Sequence, residues 1–150
     1  MKTLFDNAAN AEIISRIEKL TPSSERQWGK MKVEQMLAHL ALSFRVNFGE
    51  ILLDKNIILS TFFRGVARNM LLGEKPYRKN LPTDKKVLPK GPVDFVEEKQ
   101  KVMEMIKMYT ALGPGIISKN PHNILGKITP EQSAFISYKH VDHHLRQFGV

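Results

Sequence analysis

Apolar residues recur at helical spacing along most of the chain, and the recurrence divides into five stretches. Ile13, Ile17 and Leu20 share one face of a stretch over 6–20, and Val33, Met36, Leu37, Leu40 and Phe44 share one face of 32–48. A third stretch, 56–72, carries Leu59, Phe62, Phe63, Val66 and Met70. Phe95, Val102, Met105, Ile106, Tyr109 and Leu112 mark a helix over 94–112, and Phe135, Val141, Leu145 and Phe148 mark one over 130–148. Gly49, Gly73, Gly113 and Gly149 each follow an apolar residue at the end of such a pattern, where a left-handed helix cap favours glycine. The best start signal is Thr129-Pro130-Glu131-Gln132, which supplies a capping hydroxyl, a proline in the first turn and a glutamine to close a capping box. Asp94 with Glu97 is a second; Asp6 or Asn10 could cap the first helix, and the helix near Lys32 has no clear cap. No segment alternates with the period of a strand, and Val87-Leu88 is too short to be one. The pattern predicts an all-α fold in a single domain, 1–150, with long proline-containing connections near 21–31, 74–92 and 113–129.

Composition narrows the function. A chain of 150 residues, 42% hydrophobic and 25% charged, is of ordinary globular make-up and can bury a sizeable core. Zero cysteines exclude a disulfide framework, Cys-ligated zinc, an iron–sulfur cluster and a thiol nucleophile, so any thiol chemistry would need a thiol from outside. The start, Met1-Lys2-Thr3-Leu4-Phe5-Asp6, meets an acid before an apolar run builds, unlike a signal peptide. No uncharged apolar run reaches the ~18 residues of a membrane span. The expectation is a soluble, cytoplasmic protein.

The net charge of +8 is concentrated. Arg64, Arg68, Lys75, Arg78, Lys79, Lys85, Lys86 and Lys90 face only Glu74 and Asp84 within 64–90, which leaves +6 in that segment. Such a patch suits nucleic acid, anionic lipid or an acidic metabolite. Arg64 and Arg68, one turn apart behind an apolar run, resemble a membrane-surface helix, although arginines at the rim of a core-packing helix give the same pattern. The patch matches no nucleic-acid fold motif, and its one aromatic, Tyr77, is no stacking platform.

Three of the five histidines crowd into His140-Val141-Asp142-His143-His144. His140 and His144 lie one turn apart on one helix face, a spacing at which two imidazoles can reach one ion at ~2.0–2.1 Å. A third ligand must come from elsewhere, and His39, inside a helix beside Met36, Leu37 and Leu40, is the natural candidate. Three neutral nitrogens leave a position open, as catalytic rather than structural sites do. Histidines near a helix C-terminus are also favoured by the macrodipole, without any metal. His143 could replace His144 as ligand or stand beside the site, and His122 lies in a loop that could close over it or face water. Gln35 and Ser43, one turn either side of His39, could orient its ring or be plain helix-surface residues, and Tyr138 is a further site-lining candidate. Asp142 should point away from a site on His140 and His144.

Gln35-Met36-Leu37-Ala38-His39 and the late His140-x-x-His143-His144-x-x-Gln147 resemble the DinB-like superfamily of helical-bundle metalloproteins, with its single early histidine and final-helix H-x-x-H-H-x-x-Q pattern. Trp28-Gly29-Lys30-Met31, Gly126-Lys127-Ile128-Thr129-Pro130-Glu131 and Tyr138-Lys139-His140-Val141-Asp142-His143-His144-Leu145-Arg146-Gln147-Phe148-Gly149 are similar to a branch known only as a domain of unknown function. The resemblance implies a four-helix bundle with a long crossover and an additional helix, often dimeric, with a divalent ion (zinc or nickel foremost) on His39, His140 and His144. It further implies a small-molecule substrate and a transferase chemistry in which the metal activates a low-molecular-weight thiol of the mycothiol or bacillithiol type. The basic segment could then neutralise carboxylates of that thiol.

Two functional classes follow. One is a metal-dependent thiol S-transferase acting on small electrophiles, in which no residue is an obvious general base. The other is a non-catalytic module that engages an anionic partner through 64–90, or a homodimeric scaffold whose helix over 56–72 forms the interface.

Overall fold

The computed structural model describes residues 2–150, apart from the side chain of Leu59; Met1 and that side chain, both used in reading the sequence, lie outside the described residues. Among the described residues six α-helices follow one another: α1 Asn7–Glu18, α2 Val33–Asn47, α3 Ile57–Thr61, α4 Arg64–Leu72, α5 Phe95–Leu112 and α6 Pro130–Gln147. Short 3-10 turns occupy Lys85–Val87 and Gly113–Ile116. Among the described residues there is no strand, only an isolated bridge between His122 and Gly126. The all-α expectation holds. No described helix is long and apolar enough to cross a membrane.

The helix starts obey the capping chemistry of their sequences. Asp6 Oδ1 accepts the Ala9 N–H at 2.9 Å, which selects Asp6 over Asn10 as the α1 cap. Asp94 caps α5 through the Glu97 N–H at 2.9 Å, and Thr129 and Gln132 form the reciprocal box at the start of α6. Asn10 is buried instead, donating to the carbonyls of Leu4 and Ile106 and so tying α1 to α5.

Helices α1, α2, α5 and α6 enclose one core, with α5 and α6 each packing against both α1 and α2. Ile13, Ile17 and Leu20 from the α1 region meet Met36, Leu37, Leu40 and Phe44 of α2, Val102, Ile106 and Tyr109 of α5, and Val141 and Leu145 of α6. Each such side chain contributes about 1.5–3 kcal/mol by leaving water. Tyr109 brings a hydroxyl into this core and shares it with Ser137 at 3.0 Å, while Asn47 Nδ2 donates to Ser137 Oγ at 2.8 Å. That network pins α2, α5 and α6 at one level, because an unpaired buried hydroxyl would be costly.

Two expectations need correction. The stretch 56–72 is not one helix: the N–H groups of Phe62 and Phe63 both return to Ile58 O, and Phe63 (φ −115°, ψ 19°) leaves helical geometry. The run Thr61-Phe62-Phe63, β-branched then aromatic, favours a break there. Its apolar residues also face outward: Ile57, Ile58, Phe62, Phe63 and Val66 are exposed, and Ala67 is the buried residue of α4. Gly49 and Gly149 adopt the positive φ of a helix-end glycine, but Gly73 does not (φ −75°). Glycine fits at 73 for another reason, since a Cβ there would run into the Asn69 carbonyl.

Candidate metal centre

His39 sits mid-way along α2 and His140 and His144 one turn apart on α6, and the packing of the two helices brings the three rings together. His140 Nε2 lies 3.1 Å from His39 Nε2 and 3.1 Å from His144 Nε2. Each ring's other nitrogen decides what the inner one offers. His39 Nδ1 is 2.8 Å from the Val87 carbonyl, which can only accept, so Nδ1 carries the proton and Nε2 is bare. His144 Nδ1 is 2.8 Å from Gln147 Oε1, and Gln147 Nε2 donates to the Trp28 carbonyl at 2.8 Å. That arrangement assigns the proton to His144 Nδ1 and leaves its Nε2 bare as well.

Two bare nitrogens therefore face a third, and a single proton on His140 Nε2 can satisfy only one of them. The cluster is short of positive charge at its centre. Its spacing fits a shared ion, because ligands at ~2.0–2.1 Å in a tetrahedron stand about 3.3 Å apart. The donor set, three imidazoles without thiolate or carboxylate, suits a divalent transition metal.

The electrostatics keep the rings neutral, as ligation requires. Burial pushes the His144 pKa down to about 3, and His39 repels the same charge, against a smaller opposing effect of the Gln147 hydrogen bond. Burial lowers His39 too, partly offset by its bond to Val87. His140 falls well below 6.5 because burial is joined by repulsion from His144, His39 and His143. His39 and His144 are buried and His140 is half-buried.

The remaining candidates separate. His143 stands beside the cluster rather than in it, its ring 5.2 Å from that of His144, 5.7 Å from Trp28 and 5.9 Å from Tyr77. Gln35 Oε1 accepts the Lys32 N–H at 2.9 Å, providing the start of α2 with the cap its sequence lacks. Ser43 Oγ donates to the His39 carbonyl at 2.8 Å, so it bonds backbone and not imidazole. Half-buried His122 is turned to its own loop: its Nδ1 accepts the N–H groups of Ile124 and Leu125, and burial takes its pKa down to about 4. Tyr138 lies on the α1 side of α6, among Lys2, Glu12, Arg16 and Asp142, and burial raises its pKa. Asp142 points away as expected, paired with Arg16 at 2.8 Å.

Sequence reasoning missed the groups that hold the rings. Val87 acts through a backbone carbonyl, which no side chain advertises. Trp28 is brought in by a turn at Gly29 (φ +83°), where a Cβ would strike the Gln147 amide. Trp28 Nε1 and the Tyr77 hydroxyl, on the two rings against His143, are buried with no hydrogen-bond partner among the described residues. The basic segment reaches this region through Lys79, whose ammonium lies 4.4 Å from the centre of the Trp28 ring. Lys86 turns instead to Leu52 O and Asp54, and Arg64 to Leu125 O.

No curated protein and no solved structure matches the chain. A family model described as a protein of unknown function, DUF1569, matches residues 3–149. With nearly the whole chain covered, histidine-bearing helices included, the protein belongs to the DUF1569 family.

Proposed function

We propose that His39, His140 and His144 hold a divalent metal ion, zinc or nickel foremost, and that the protein is a metal-dependent transferase joining a low-molecular-weight thiol to small electrophiles. The observation that carries the reading is the meeting of three Nε2 atoms at 3.1 Å steps, two of them stripped of protons by Val87 and by Gln147. When bound, a divalent ion supplies a Lewis acid that lowers the pKa of a coordinated thiol or water. The chain's own residues do the rest. Val87 O and Gln147 fix ring orientation, and burial of His39 and His144 keeps bulk water from two of the ligands. Trp28 Nε1–H and the Tyr77 hydroxyl lie buried beside His143, and exposed Lys79 over the Trp28 ring is available to carboxylates of a bound molecule. A cysteine-free chain has no thiol to compete with an external one of the bacillithiol or mycothiol type.

The architecture supports the same reading. Four long helices around one core, with residues 48–94 crossing between α2 and α5 and carrying α3 and α4, agree with a DinB-like four-helix bundle in one domain. The alternative, a non-catalytic module for an anionic partner, draws on the exposure of Arg68, Lys75, Arg78, Lys85 and Lys90.

Elemental mass spectrometry of tag-free protein beside a His144→Ala variant tests the site. Near-stoichiometric metal in the wild type and almost none in the variant is expected. Metal-loaded protein should then speed conjugation of thiols across an electrophile panel. Metal without conjugation removes the transferase and leaves the site; no metal after reconstitution removes both.

A further inference from the structure

The α3–α4 arm is fastened to the rest of the protein on one side only. Ala67 is buried, Arg64 reaches the Leu125 carbonyl, and the ammonium of Lys139 on α6 donates to the carbonyls of Met70 and Gly73 at 2.6 Å each. The outer side is left over, and it is apolar. Leu52, Ile57, Ile58, Phe62, Phe63 and Val66 are all exposed, with Phe62 at 80%. Water-facing apolar residues are ordinary when scattered, but five of these six fall within ten consecutive positions, 57–66.

Charge indicates what covers them. From Asp54 to Glu74 the cations Lys55, Arg64 and Arg68 stand between single acidic residues at the two ends, and Asp54 is paired with Lys86 at 2.9 Å. The backbone at Leu52 is held by Lys86, whose charge is matched by Asp54, so the exposed Lys85 of the Lys85–Val87 turn flanks the same apolar surface. A second copy packed symmetrically on this face would set Arg68 against its own counterpart, with no carboxylate between residues 55 and 73 to compensate. Apolar side chains rimmed by cations match instead an acyl layer beneath anionic headgroups. Helices of five and nine residues are too short to span, so they would lie in the interface plane.

We infer that the outer face of the α3–α4 arm, led by Ile58, Phe62 and Phe63, docks the protein on anionic phospholipid bilayers. The inference is independent of the histidines.

Flotation of the full-length protein with phosphatidylcholine vesicles, with or without about one-third phosphatidylglycerol, tests it. The wild type should float with the anionic vesicles and several-fold less with the neutral ones, and release as salt rises to about 0.5 M. Phe62→Asp should reduce the bound fraction by at least about tenfold, the worth of one inserted aromatic. Arg68→Glu should reduce it by about fivefold or more, as expected for a cation at the membrane surface. Both positions are exposed, so unchanged far-UV circular dichroism is expected; if Phe62→Asp loses its fold, Val66→Ser takes its place. Absence of wild-type flotation overturns the inference. So does a wild-type dimer in sedimentation that Phe62→Asp converts to monomer while vesicles bind neither form, because the face then serves self-association. Salt-sensitive binding to duplex DNA with no flotation overturns it equally.

Discussion

The histidine cluster and the α3–α4 arm lie in contact through Lys139, the residue next to His140, yet they are built on opposite terms. Around the cluster, polar groups are inside and the ring supports are accounted for: His39 has Val87, His144 has Gln147, and Gln147 has Trp28, while Trp28 Nε1 and the Tyr77 hydroxyl stay without partners among the described residues. On the arm, apolar groups are outside and unaccounted for, and the polar bonds are made by the inner edge. The first arrangement is incomplete at a few polar atoms, the facing imidazole nitrogens foremost, whereas the second is incomplete over a whole face. The two kinds of incompleteness indicate different ligands, a small cation in one case and an extended surface in the other.

The contrast can be broken by substitution. The largest effect is expected at Gln147→Met, which keeps the length of the side chain but removes the acceptor for His144 and the donor to Trp28. Metal affinity should fall by about 10- to 100-fold, the usual cost of losing a group that orients a ligand, as titration of the metal-free protein would report. An unchanged affinity would mean that His144 is oriented by packing alone.

Acid should separate the regions as well. In the metal-free protein the folded state holds His144 neutral, with its pKa moved from 6.5 down to about 3, and His140 and His122 are displaced in the same direction. The unfolded chain therefore takes up protons first as the pH falls. This stability is fully present above the unfolded value near 6.5 and is lost progressively down to the folded value. His144 alone should cost about 2 kcal/mol by pH 5, measured by denaturant unfolding at pH 7 and pH 5. A His144→Gln variant should show a shallower slope.

The smallest effect belongs to the arm. Phe62→Ser should change stability by no more than about 0.5 kcal/mol and leave metal content intact, because the ring gives up few contacts. A loss of several kcal/mol in thermal or denaturant unfolding would show instead that the arm is part of the core.

The sequence made one of these regions far more readable than the other. Ile13, Ile17 and Leu20, or Val102, Ile106 and Tyr109, repeat at one-turn spacing, and the structure buries them. Phe62, Phe63 and Val66 carry a similar signal, but periodicity marks a face without saying whether protein or solvent meets it. The three histidines were legible from type and spacing. Their supports were not, since one is a backbone carbonyl and the other a glutamine whose partner, Trp28, is 119 residues away in the chain. Gln35 and Ser43 looked suitable because they flank His39 by a turn, but each has a nearer backbone partner. Tyr138 could have been set aside by the reasoning applied to Asp142, for both are two residues from His140 and two residues turn a helix to its far side.

One consequence concerns topology. His39 and His140 are 101 residues apart, and the intervening chain runs through both long connections and the whole arm. Bound between them, an ion would tie that stretch into a closed loop, the office a disulfide fills in chains that have cysteine to spend on it. The closure would be reversible and governed by metal supply, and it would restrict the unfolded chain far more than the folded one, whose ends already meet. In this cysteine-free chain the same three nitrogens would then serve as both reaction centre and removable cross-link.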